Sequence, residues 1–283
     1  MSRTGTPSGF EEQAKLFASQ GGLWLDYRHC DQPYIAERGI GRYARALVSE
    51  LRAVEGLQFR LIEDSGWPPV PRGLAWERLV NQHVRFPYRL RKVRPALVHF
   101  LNPELATPFA PRPFVVTVHD LMRLRHPQWF PALRRKALLQ WRLTEAAIRR
   151  ASAVVAVSES TAHDVVQLLG VKRERITVTP LAPGPCFCPA DPDASRARLS
   201  RELGLSGQYV LGVGGFDPRK SVAELVRTFA GETALGAATL VLAGPFCVSQ
   251  SFVDVIESIS ASRLWDRVIL TSHVPDDLLA DLY

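Results

Sequence analysis

The run Gly214-Gly215-Phe216-Asp217-Pro218-Arg219-Lys220-Ser221 gathers glycines, an adjacent pair of cations and a hydroxyl into one short stretch. It follows the apolar segment Tyr209 to Val213 and precedes an amphipathic segment that opens at Val222. Glycines let a backbone approach an anion, a following helix offers its N-terminal N–H groups, and Arg219 with Lys220 add positive charge. Together these residues suit a diphosphate, and they can neutralise one as it leaves without help from a metal. The run falls one residue short of a P-loop, since G-x-x-x-x-G-K-[ST] needs glycine where Arg219 stands. An arginine there prevents the backbone from wrapping a triphosphate.

Three further constellations sit at the ends of apolar runs. His119-Asp120 follows Phe114 to Val118, at the carboxyl edge where open α/β sheets hold their ligands. A histidine there can donate to a substrate hydroxyl or to a developing charge, and Asp120 can orient it; a loop histidine with no role has the same spacing. Gly39-Ile40-Gly41-Arg42-Tyr43 follows the first strand and opens a helix, which brings backbone N–H groups toward an anion. It lacks the third glycine of the dinucleotide fingerprint, so a structural turn explains it equally well. Ser158-Glu159-Ser160 reads most simply as a helix N-cap.

The elements that must carry these residues alternate as β-α units. Strands are expected at Leu23 to Tyr27, Phe59 to Glu63, Ala96 to Leu101, Phe114 to Val118, Val154 to Val157 and Ile176 to Thr179. Helices are expected near Tyr43 to Ala53, Trp76 to Arg91, Leu133 to Ile148 and Ser160 to Leu169. Pro180, Pro183, Pro185, Pro189 and Pro192 then block helix and central strand alike, which marks an interdomain linker. Beyond it the alternation restarts with helix Ala194 to Leu203, strand Tyr209 to Val213, helix Val222 to Phe229, strand Thr239 to Ala243, helix Phe252 to Ser260, strand Val268 to Leu270 and helix Asp277 to Tyr283. The expected organisation is an N-terminal extension over residues 1–21, a complete Rossmann-like domain over 22–188, and the first half of a second one over 189–283.

Of the 283 residues, 46% are hydrophobic and 22% charged, which is ordinary globular composition. The longest apolar runs are far short of the roughly 20 residues a spanning helix needs, and residues 1–20 carry no secretory h-region, so a cytoplasmic protein is expected. Cys30, Cys186, Cys188 and Cys247 lack zinc-site spacing and read as reduced thiols. The net charge of +7 suits an anionic partner. Much of it lies in Arg85 to Arg94 and Arg134 to Arg150, the second with Leu133, Ala137, Leu138, Trp141 and Ile148 at helical spacing. A solvated face is the commoner meaning of such a helix; peripheral contact with an anionic membrane surface, at its inner face, is the other. The arginines are not interleaved with aromatics as a stacking platform requires, so nucleic acid is not expected as a partner.

Taken in order, Asp26 and Arg28, Gly39 to Tyr43, His119-Asp120, Val157 to Ser160, Thr179-Pro180-Leu181-Ala182-Pro183-Gly184, Gly214 to Ser221, Ala243-Gly244-Pro245 and Val274 to Tyr283 resemble glycosyltransferase family 4. The resemblance implies the GT-B architecture of two facing Rossmann domains. It also implies retaining transfer of a sugar from a nucleotide-sugar to a glycan or lipid-linked acceptor, with no cofactor and no metal. In these terms Arg219 and Lys220, with Gly214 and Gly215, grip the donor diphosphate. His119, beside Asp120, contacts the transferred sugar, and Gly39, Gly41 and Arg42 lie beside donor and acceptor. The version of the diphosphate loop found here is similar to that of bacterial mannosyl- and related transferases of surface polysaccharides, which implies a GDP-sugar.

This sequence departs from the family pattern in two places. Many members carry arginine where Gly215 stands, which puts more of the task on Arg219. The family's Glu-x7-Glu pair is expected after Tyr283, so this polypeptide alone is expected to be weakly active or inactive. The pairs Glu55 with Glu63 and Glu224 with Glu232 precede that place and count as chance. A catalytically inactive nucleotide-sugar-binding module shares every motif, whereas a nicotinamide oxidoreductase needs a G-x-G-x-x-G fingerprint that is absent.

Overall fold

The computed structural model describes residues 22–28, 30, 39–63, 75–130, 135–245 and 250–283. It divides into two compact units, one ending at Ala182 and one beginning at Pro183.

The first unit is built on a parallel sheet of six strands in the order β2-β1-β3-β4-β5-β6. These are β1 (Leu23–Asp26), β2 (Phe59–Ile62), β3 (Leu97–Phe100), β4 (Phe114–Val118), β5 (Ala153–Ala156) and β6 (Ile176–Val178). Helix α1 (Gly39–Ala53) crosses from β1 to β2. Its Ala44 and Val48 pack with Leu25 and Leu101 in one apolar cluster. Between β2 and β3 the chain forms α2 (Ala75–Val80), a π turn (Asn81–Arg85) and α3 (Phe86–Val93). After β4 come α4 (Met122–Arg125) and α5 (Arg135–Arg150), and after β5 comes α6 (Glu159–Leu169). Phe86 and Leu90 of α3, Ile148 of α5 and Val165 of α6 join Val98, Phe100, Phe114, Val116 and Val154 in a second, larger cluster. The sheet is therefore buried on both faces, which is why its strands read as near-continuous apolar runs. Strand order reverses between β1 and β3, so their carboxyl ends form the switch point where such sheets leave a crevice.

Two local expectations need correction. Trp76 to Arg91 is not one regular helix, because Pro87 near the start of α3 has no N–H to give to the preceding turn. The ladder widens there, and the N–H of Phe86 reaches back to the carbonyl of Asn81. Pro192 does not block a helix either. It stands in the first turn of α7 (Pro192–Leu203), where a missing N–H costs nothing, and the side chain of Asp191 caps that turn by accepting from Asp193 N at 3.0 Å.

The second unit has a parallel sheet in the order β7-β8-β9, with β7 (Tyr209–Val213), β8 (Thr239–Ala243) and β9 (Val268–Ser272). Leu240 and Leu242 of β8 face one cluster with Val226 of α8 (Val222–Gly231) and Val255 and Ile259 of α9 (Gln250–Ala261). Val241 and Ala243 face the other, with Leu199 of α7 and Leu278 and Leu282 of α10 (Asp276–Leu282). This alternation along one strand is what builds a layer of helices on each side. Phe187 belongs to this second unit: it packs with Leu199 and Leu278 and meets the ring of Tyr283 at 5.9 Å. Residues 179–191 form no helix or strand, as their prolines dictate.

Candidate functional site

His119 stands one residue beyond β4, and its part-buried ring is held from two sides. Its Nε2 lies 2.9 Å from the carbonyl oxygen of Leu101, and its ring meets that of Tyr43 edge-on, with centroids 4.9 Å apart and planes at 84°. A carbonyl only accepts, so Nε2 carries the proton in the neutral ring. Burial pushes the imidazole below its usual pKa, opposed by the Leu101 carbonyl and the charge of Asp120. The neutral ring thus commits its one proton to the backbone, and Nδ1 remains as an acceptor. The donor expected of His119 is thus already taken by the backbone in the neutral ring, and the nitrogen left over accepts. Nor does Asp120 orient the ring. Its Oδ1 accepts from Met122 N at 3.1 Å and caps the turn that starts α4.

The glycine segment forms the first turn of α1 itself, with Gly39 exposed and Gly41 buried; Arg42 follows, half-buried. Tyr43, one position further on, links this helix to the histidine. Its hydroxyl lies 3.2 Å from Thr117 Oγ1, which in turn lies 2.8 Å from His99 Nε2. Burial lowers the His99 pKa to about 4, so that ring is neutral near pH 7. Thr117 lies two positions before His119, and Tyr43 touches both. Tyr43 closes the glycine motif, whereas Thr117, His99 and the Leu101 carbonyl are neighbours that the motifs did not reveal. The available signal was polar residues at Thr117 and His99 inside otherwise apolar strands.

At the end of β1, Asp26 is fully buried and holds Arg28 in a two-pronged ion pair, both contacts 2.7 Å. The guanidinium stacks 3.6 Å from the centroid of Phe86 and reaches the carbonyl of Leu105 at 3.4 Å. The pair fastens the switch-point end of β1 to α3 and to the loop after β3. Ser158 caps α6 as expected, accepting from Thr161 N at 3.1 Å.

In the second unit the candidate residues gather at the carboxyl end of β7. Gly214 takes φ +133°, which an L side chain rarely adopts, and its N–H donates to the Ala243 carbonyl at 2.8 Å. Gly244 continues the seam, its N–H donating to the Ser272 carbonyl at 2.9 Å. A Cβ on Gly244 would lie 2.1 Å from the Gly214 oxygen, so only glycine lets these strand ends close up. Gly215 is less constrained, since its nearest contact for a Cβ is the Pro245 oxygen at 3.7 Å. Pro218–Lys220 then form a single 3-10 turn before α8.

The two cations of the loop are not equivalent. Asp217 takes Arg219 in a two-pronged pair, with both side-chain contacts at 2.9 Å, and also accepts from Arg219 N at 3.0 Å. Hydrogen bonding from Arg219 holds the Asp217 carboxyl below its usual pKa. Lys220 is exposed, and its stem passes the open side of Gly214, its Cε 3.4 Å from where a Cβ would stand. Arg219, expected to carry the extra load, thus meets a carboxylate already in place, whereas Lys220 acts on Asp217 only through its charge and forms no ion pair within 4 Å among the described residues. Among the described residues, no group of three or more His, Cys, Asp or Glu is placed to hold a metal ion.

Residues 38–182 match the model of Glycosyltransferase Family 4. This chain belongs to glycosyltransferase family 4. Among solved structures it is similar to sucrose-phosphate synthase from Thermosynechococcus elongatus, with 18% identity and a TM-score of 0.64, covering 92% of this chain and 72% of that one. It is similar to WaaG, a glycosyltransferase involved in lipopolysaccharide biosynthesis, with 14% identity and a TM-score of 0.63 over 92% of this chain and 72% of that one. It also resembles Anabaena HepE, solved in complex with UDP, with 16% identity and a TM-score of 0.56 over 92% and 70%. At these identities the likeness is one of fold, which is that of the GT-B glycosyltransferases. No curated protein matches the chain. No helix among the described residues is long and apolar enough to cross a membrane.

Proposed function

We propose that this glycosyltransferase takes its sugar from a nucleotide-sugar and passes it, with retention, to a glycan or lipid-linked acceptor in bacterial surface-polysaccharide synthesis. The reading rests on one observation above all. At the end of β7, Gly214 is flanked by the stem of an exposed Lys220, which forms no ion pair within 4 Å among the described residues although its charge is felt by Asp217. A diphosphate placed there meets backbone N–H groups, the start of α8 and a cation not held by a carboxylate. Lys220 holds the phosphates as negative charge builds on the leaving group, and Arg219 adds its charge by loosening its hold on Asp217. In the first unit, His119 takes a hydrogen bond from a hydroxyl of the sugar through Nδ1, with Tyr43 and the Leu101 carbonyl fixing the ring.

The loop sequence favours a GDP-sugar of the mannose type. The UDP in the HepE structure favours a uridine donor as the second reading. Thermal unfolding of the purified chain, with UDP, GDP and their sugars added separately beside a Lys220→Ala variant, tells them apart. A ligand bound only by the folded state raises the midpoint. A rise with guanine nucleotides alone, lost in the variant, supports the first reading, and a rise with uridine nucleotides alone supports the second. No rise with any of them, in a sample that unfolds cooperatively, overturns both. Release of nucleoside diphosphate in the presence of acceptor separates an enzyme from a nucleotide-sugar-binding module, which binds without turnover.

A further inference from the structure

The helical segment between β2 and β3 carries a feature that sugar transfer does not use. Its inner side is well anchored: Leu79, Phe86 and Leu90 are buried, and His83 is held by Thr107 at 3.0 Å and Gln140 at 3.1 Å. Its outer side is apolar where solvent should favour polar groups. Trp76 is 57% exposed, Val84 60% and Tyr88 57%. With half-buried Val80 they recur every fourth residue. In a regular α-helix that spacing drifts by about 40° per step. The wider π turn at Asn81–Arg85 takes back part of the drift, so the side chains line up as one stripe.

The stripe is bordered by cations. Between residues 75 and 94, Arg78, Arg85, Arg89, Arg91, Lys92 and Arg94 stand against the single acid Glu77. Two of these contacts are to neutral groups: Arg85 donates to the amide oxygen of Asn81 at 2.9 Å, and Lys92 lies over the Tyr88 ring at 4.7 Å. Arg91 donates to the carbonyl of Phe109 at 2.9 Å.

We infer that this stripe is the membrane-docking face of the protein and that its partner is an anionic lipid surface. Aromatic rings with a polar edge settle at the level of lipid headgroups, branched aliphatics enter the acyl boundary, and flanking cations meet the acidic headgroups. A nucleic acid would use the cations but has no use for an exposed Val84. The helix for which the sequence left such a contact as the second reading, α5, is less suited: its Arg149 is paired with Glu145 at 3.4 Å and donates to the Leu169 carbonyl at 3.1 Å. The inference rests on the lipid-linked acceptor proposed above, because a docked first unit meets such an acceptor where it resides.

Cosedimentation of the full chain with phosphatidylcholine vesicles, with and without phosphatidylglycerol, tests it. Binding is expected to the anionic vesicles only. Trp76→Ser with Tyr88→Ser should weaken it by about tenfold or more at any salt. Arg85→Gln with Lys92→Gln should weaken it by about fivefold per charge at low salt and little at high salt. An Arg142→Gln, Arg150→Gln pair on α5 should leave it unchanged. Unaltered thermal unfolding and an unaltered nucleotide-induced rise in the midpoint show that the variants are folded, and keep this test apart from the donor reading. Equal binding to neutral vesicles, no vesicle binding, loss with the α5 pair alone, or equal retention of a random oligonucleotide through the same residues would each overturn the inference.

Discussion

Replacing Gly244 with alanine tests how the donor-side loop is built. The added methyl would sit 2.1 Å from the Gly214 oxygen and 2.5 Å from its carbonyl carbon, against an ordinary contact of about 3.5 Å. Both atoms are backbone, so no rotamer change relieves the overlap and the seam must open by more than 1 Å or so. Opening it loses the bonds from Gly214 N to the Ala243 carbonyl and from Gly244 N to the Ser272 carbonyl. Each is worth about 1 kcal/mol, and the φ of +157° adds strain of about 1–3 kcal/mol for alanine. The expected total of roughly 3–5 kcal/mol should lower the unfolding midpoint of the second unit by on the order of 10 °C or more. Scanning calorimetry beside Gly231→Ala gives the comparison, since a Cβ on Gly231 meets nothing within 4 Å and that change should be neutral or slightly stabilising. Nucleotide binding should fall with the midpoint. If Gly244→Ala unfolds where the parent does, the close approach of the strand ends is not what shapes the loop.

Two further changes follow from the same geometry. His99 has its folded pKa depressed to about 4, so as pH falls the unfolded chain takes up this proton first and stability is lost from about pH 6.5 down to about 4. The loss from this group is roughly 3 kcal/mol; denaturant melts at pH 7 and pH 4.5 should show it, and His99→Gln should flatten the difference. Gly215→Arg should fold normally, because its Cβ has 3.7 Å to the Pro245 oxygen, and should tighten nucleoside diphosphate binding by about five- to tenfold through one added charge-assisted bond. Calorimetric titration checks it, and a weaker or unchanged affinity would show that position 215 does not face the phosphates.

Much of the fold was legible because parallel strands buried on both faces leave apolar runs that little else imitates. Phe114–Val118, Tyr209–Val213 and Thr239–Ala243 have the bounds expected of them. The π turn was not legible: Pro87 lies within a stretch whose apolar spacing is helical, and whether proline ends, bends or widens a helix depends on what packs behind it. The glycines were legible as backbone breaks between strand and helix, but the partners of the side chains around them were not. Nothing in Asp217-Pro218-Arg219 says that a 3-10 turn will fold the arginine back onto the aspartate. The role of His119 turned on a carbonyl 18 positions away, that of Leu101, which only the neighbouring strand end brings within reach. Motifs name the residues that can do chemistry; proton direction and charge availability belong to tertiary contacts.

In the proposed function the loop after β7 grips a diphosphate, and Lys220 is the cation on which the grip depends. Titration calorimetry with nucleoside, nucleoside diphosphate and nucleotide-sugar, on the parent chain and on Lys220→Ala, measures this directly. The diphosphate-bearing ligands should bind and the nucleoside should not. The variant should lose about tenfold in affinity, the effect of one charge-assisted contact moderated by exposure to solvent. Equal affinities in parent and variant, or a nucleoside that binds as tightly as its diphosphate, would contradict it.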